Sequence, residues 1–177
     1  MSNGVDVPVG NHRAVTDDAD AHAAILSGLR TRLGLLADVH GVVLHETHDG
    51  VGLSGFDTVL ALHPTAQGAT PVTVFPESAD TTWVEFGCQV LDEIFTSPSD
   101  VPRAVEDVVE VVAAVATGRA RQRLWYSPTK PEPIGAQAWV QLHEGGKWIS
   151  FQSWGRVPLR FLRGRYRAED VHYSAYS

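Results

Sequence analysis

The chain has 177 residues, 44% of them hydrophobic and 20% charged, the size and balance of one globular domain that buries a core without a metal or disulfide staple. Its single cysteine, Cys88, excludes an intrachain disulfide, and nowhere do about 18 apolar residues run in succession, as a helical membrane span requires. The net charge of −7 is unevenly spread: through Thr117 there are 4 Lys/Arg against 17 Asp/Glu, and from Gly118 onward 10 against 4. Two explanations are open, attraction between the halves across a shared surface and a specific charged partner. The acidic total argues against general affinity for nucleic acid or anionic membranes.

Residues 1–15 hold Gly, Pro and Asn with little periodicity and read as a flexible arm; residues 16–177 read as a single α+β domain. The start of the chain lacks the basic stretch and apolar run of a signal peptide, so the expectation is a cytoplasmic protein. Thr16 or Asp17 is a helix cap, and Ile25, Leu29, Leu33 and Leu36 line one face of a helix running to about Val39. Gly28 and Gly34 weaken that helix by about 1 kcal/mol each relative to Ala, so packing must hold it.

Short segments rich in Val, Phe and Leu follow at Gly41 to Thr47, Phe56 to His63, Pro71 to Phe75 and Thr82 to Val90. Their alternation predicts an antiparallel sheet with one covered face. A second helix is predicted from a cap at Ser99 or Asp100, with Pro102 in its first turn, Val101, Val105, Val108, Val112 and Val115 at helical spacing, and a stop at Gly118.

Gln122 to Tyr126 reads as a strand, and Pro128 to Pro133 as a break. Next, Glu144-Gly145-Gly146-Lys147 reads as a two-residue hairpin turn. The register it implies pairs Val140 with Phe151 and Trp139 with Gln152. Val140, Leu142, Ile149 and Phe151 then form a core face, and the other face carries Trp139, Gln141, His143, Trp148, Ser150, Gln152 and Trp154. The whole predicts two helices on one face of a mainly antiparallel sheet of about six or seven strands.

Several patterns invite a chemical reading and lack its context. Gly50-Val51-Gly52-Leu53-Ser54-Gly55 has dinucleotide spacing, but the next segment is a strand where the pyrophosphate needs a helix N-terminus. His40, His45, His48 and His63, with Glu46 and Asp49, are zinc-ligand types, yet His45 and His48 fall on opposite faces of a strand. Cys88 lies in an apolar alternation unsuited to a thiolate nucleophile, and Ser54 lacks the strand-turn-helix elbow of an exposed serine. No catalytic residue, cofactor or metal is therefore expected.

The second hairpin face is richer, because Trp and Arg dominate interface hot spots and Gln141, Ser150 and Gln152 are costly to bury dry. Either the chain covers this face, or Trp139, Gln141, His143, Trp148, Gln152 and Trp154 bind a protein partner; we carry the second reading forward. The alternative is a small-molecule enzyme or ligand-binding domain with a cleft near the histidine-rich turns. A weaker third is nucleic-acid binding by the Arg-rich tail, against which the net acidity argues.

The stretch Phe95-Thr96-Ser97-Pro98, the Val-rich helix from Val101 to Val115, its Gly118-Arg119 stop, and the strand and hairpin beyond resemble small immunity proteins of actinobacterial polymorphic toxin systems. In particular they are similar to the antitoxin of a secreted NAD-hydrolysing toxin. The likeness covers Val72 to Trp154. It implies a cytoplasmic α+β protein without catalysis that binds a cognate toxin and plugs its active site, and it assigns no inhibitory residue.

Overall fold

A computed structural model describes residues 11–48, 58–88, 90–151, 154–155 and 166–176. Helix α1 spans Asn11–His40. It is already under way at Thr16, so neither Thr16 nor Asp17 caps it, and residues 11–15 of the expected arm are helical; residues 1–10 lie outside the described part. Ile25, Leu29 and Leu33 are fully buried, as their spacing predicts.

Strands β1 (Val43–Thr47), β2 (Val59–His63), β3 (Val72–Pro76), β4 (Thr81–Phe86) and β5 (Val90–Phe95) form an antiparallel meander in that order. Leu60, Leu62, Val72, Val74, Val84 and Phe86 share its inner face, since Leu60 pairs with Val74, and Val72 with Phe86. One predicted strand, Thr82 to Val90, is thus two. Gly87 adopts φ 66°, a conformation open to glycine, and its N–H donates to Thr70 Oγ1 at 2.9 Å. A Cβ there would clash with the Tyr173 hydroxyl. The chain therefore reverses at Gly87, and Val90 opens a new strand opposite Phe86.

Helix α2 spans Val101–Ala116, and Asp100 caps it by accepting the Arg103 N–H at 3.2 Å. Its C-terminus closes as a Schellman motif: Gly118 at φ 75° donates its N–H to Val115 O and Arg119 donates to Ala114 O, at 3.0 and 2.8 Å. Burial of Val105, Val108, Val112 and Val115 offsets the poor helix propensity of valine.

Strands β6 (Ala120–Tyr126), β7 (Pro133–Val140), β8 (Ile149–Ser150), β9 (Trp154–Gly155) and β10 (Arg167–His172) make a second antiparallel sheet in the order β10-β6-β7-β8, with β9 also on β7. The fold is α+β and a single domain, but its strands divide between two sheets where one was expected. One apolar cluster joins α1, α2 and both inner faces, where Ala120, Ala136, Ala138 and Val140 let the second sheet approach closely.

Neutral groups tie the halves together. Gln122 Oε1 accepts the Cys88 N–H at 2.9 Å and the Tyr173 hydroxyl at 2.6 Å, while Gln122 Nε2 donates to Cys88 O at 3.3 Å. Burial pushes the Tyr173 hydroxyl up to about 12. The ion pairs Arg30–Glu46, Arg32–Glu106, Arg103–Asp107 and Arg123–Asp170 each lie within one half of the chain.

Candidate partner-binding site

The site lies on the outer face of the second sheet, and the register builds it. On β6, Gln122 turns inward, so Arg121 and Arg123 turn outward. Arg121 pairs with His172 of β10 on one side and Trp139 of β7 on the other, and Trp139 pairs in turn with Ser150 of β8. A second row runs Asp170–Arg123–Gln137.

The Arg121 guanidinium carbon lies 4.4 Å from the centroid of the Trp148 ring and 5.2 Å from that of Trp139, within cation–π range of both. Arg123 has a different partner: its Nε and Nη2 donate to the two oxygens of Asp170 at 2.5 and 2.6 Å. That hydrogen bonding holds the Asp170 carboxyl below its usual range, with smaller help from the charges of His172 and Arg121. A cleft of about 90 Å³ opens among Arg121, Arg123, Trp139, Asp170 and His172.

The hairpin register corrects the sequence expectation. Val140 pairs with Ile149, not Phe151, and Trp139 with Ser150, not Gln152. The turn runs His143 to Gly146, with Gly146 N–H donating to His143 O at 2.9 Å and Gly145 at φ 71° in third position. Unprimed turns with a left-handed third residue splay the strands they join, so residues 141–148 form a loop. Gln141 and His143 lie in that loop; Gln141 Nε2 donates to Gly146 O at 2.6 Å and His143 is exposed.

The shift is two residues, so faces are kept: Trp139 and Trp148 remain together and Phe151 stays in the core at 6% exposure. Ile149, expected in the core, is 45% exposed because β8 is the sheet's edge. Trp148 is 37% exposed and Trp139 half-buried. Gln152 lies outside the described residues, and of Trp154 only the backbone is described, opposite Ala136.

Sequence reasoning missed Arg121, Arg123, Asp170 and His172. The Arg-x-Arg alternation ahead of Trp125 is a signal for outward positions on β6, but nothing local announces β10 as its neighbour.

The other candidate chemistries find little support in the geometry. His45 and His63 stack edge to face at 5.2 Å, His48 Nε2 lies 3.1 Å from Glu46, and Glu46 is held by Arg30. Among the described residues no group of three or more His, Cys, Asp or Glu is placed to hold a metal ion. Gly50 to Gly55 and Asp49 lie outside the described residues. Cys88 is half-buried in the β4–β5 turn, where burial raises its thiol pKa, the opposite of nucleophilic activation. A cleft of about 520 Å³ lies at the far end of the second sheet by Ser127, Lys130, Glu132 and Tyr166, away from the histidine turns. No described helix is long and apolar enough to cross a membrane. No family model, curated protein or solved structure matches the chain.

Proposed function

We propose that this protein is a non-catalytic protein-binding domain, an immunity protein that binds and inhibits a cognate toxin, and that the partner docks on the outer face of the second sheet. The observation that carries the reading is the Trp139–Arg121–Trp148 stack, formed from two interface-prone residue types and presented to solvent at Trp148. The toxin as partner rests on the resemblance of Val72 to Trp154 to immunity proteins; the face itself supports binding to a protein of any kind.

The test pairs two aromatic residues close in sequence and different in burial. The intact chain, Trp148→Ala and Phe151→Ala are titrated against the product of the adjacent gene, and each is melted. Trp148→Ala is expected to weaken binding by roughly 2 kcal/mol or more with little loss of stability. Phe151→Ala, which removes a ring packed edge to face on Phe86 at 5.4 Å, is expected to cost about 3–5 kcal/mol of stability. If Trp148→Ala unfolds the protein as Phe151→Ala does, the face is ordinary core and the assignment fails.

A further inference from the structure

Two arginines alternate on β6 under different constraints. Arg123 is neutralised by a two-point contact with Asp170, whereas Arg121 makes no ion pair among the described residues and stacks on Trp139 and Trp148. The Arg121 Nε is shielded from solvent and has no hydrogen-bond partner. We propose that the cleft beside Arg121 receives one carboxylate side chain, an Asp or Glu of the protein partner. This rests on the protein-binding reading above and names the chemistry that the partner must bring.

A guanidinium packed against aromatic rings still offers its N–H edge, and that planar fork matches a carboxylate in two-point geometry. Stacking on indole also restricts the side chain before the partner arrives, so less freedom is lost on binding. His172, beside Arg121 on β10, adds a further donor, and the Trp139 ring supplies an apolar wall for the rest of the segment.

Phosphate is the other anion with matching geometry, and three features favour a carboxylate. The cleft is only about 90 Å³, Asp170 neutralises Arg123 and leaves Arg121 as the one arginine there to balance a multiply charged group, and the chain's net charge of −7 opposes a polyanionic backbone.

The test selects a displayed random-peptide library on the intact protein, then synthesises the enriched peptides. Enriched peptides are expected to share one Asp or Glu beside apolar residues. Changing that Glu to Gln should weaken binding to the wild type about tenfold or more and leave binding to Arg121→Gln almost unchanged, the coupling expected of a direct charge pair. The peptide change needs no altered protein, so the result stands even if Arg121→Gln folds poorly. Peptides that depend on Trp148 but are indifferent to Glu→Gln and to Arg121→Gln overturn the carboxylate and leave protein binding intact. Enriched peptides that depend on neither Trp148 nor Arg121 overturn both. A single-stranded oligonucleotide that displaces the peptides and itself requires Arg121 makes phosphate the occupant and overturns the inference.

Discussion

Gly28 and Gly34 stand in the same helix, and their replacement by Ala should have different outcomes. At Gly28 a Cβ would sit 2.7 Å from Val105 Cγ2 and 3.5 Å from Cγ1, whereas at Gly34 it would meet nothing within 4 Å. Ala is favoured over Gly by about 1 kcal/mol in a helix interior at both sites. At Gly34 most of that gain survives, so Gly34→Ala should stabilise by about 0.4–1 kcal/mol. At Gly28 the methyl group must open a contact of two packed helices by nearly an ångström, against a β-branched side chain with one comfortable rotamer. Overpacking of that kind costs about 1–3 kcal/mol, so Gly28→Ala should be neutral to destabilising by about 2 kcal/mol. Urea denaturation of both variants gives the comparison. In a Val105→Ala background, where the obstructing methyls are gone, Gly28→Ala should become stabilising. Equal stabilisation by both replacements in the wild-type background would refute the close crossing of α1 and α2 at Gly28.

Gln122→Leu should destabilise by about 1–3 kcal/mol in urea denaturation, because it removes the oxygen that accepts from the Tyr173 hydroxyl and the Cys88 N–H and leaves an apolar side chain in a part-buried polar setting. Glu85, half-buried on β4, has its carboxyl pKa raised by desolvation. A folded pKa above the unfolded value means that the folded state prefers the protonated acid, so stability is highest below the unfolded pKa and falls as pH rises through the folded one. Glu85→Gln should therefore raise the melting temperature at pH 7 and leave it almost unchanged at pH 3, as melts at the two values would show.

What was legible in the sequence was local. Asp100 accepting Arg103 N–H, Gly118 ending α2, and Ile25, Leu29 and Leu33 facing the core are decided by residues within a turn or two of one another. The failures lie where distant partners decide. Gly87 falls inside the one predicted strand from Thr82 to Val90, and only Thr70, Gln122 and Tyr173, distant in sequence, close around it. β10 is a polar strand whose pairing brings Arg123 to Asp170, 47 positions apart, so neither its strand character nor the acidic partner of Arg123 shows in sequence. The hairpin register differs by two residues from the one the sequence implies because a Gly-Gly pair permits either turn position, and Trp139 and Trp148 keep their common face because a shift of two preserves the alternation.

The opposite charges of the two halves are explained differently by the folded chain than by composition. Contacts that join the halves run through Gln122, Phe86, Phe151 and Tyr173, which carry no charge at neutral pH. Among the described residues, the ion pairs of Arg30, Arg32, Arg103 and Arg123 each stay within one half. On the outer face of the second sheet Asp170 matches one arginine of β6 and leaves the other held only by two indole rings. Exposed pairs such as Arg123–Asp170 contribute little to stability, so the effect of Asp170 is chiefly positional: it fixes Arg123 and makes Arg121 the local cation with an unpaired donor. A partner drawn to this face approaches a molecule that is acidic elsewhere, which disfavours broad polyanions and favours a single carboxylate on an otherwise neutral surface. The same segregation that leaves Arg121 available therefore also narrows what can use it.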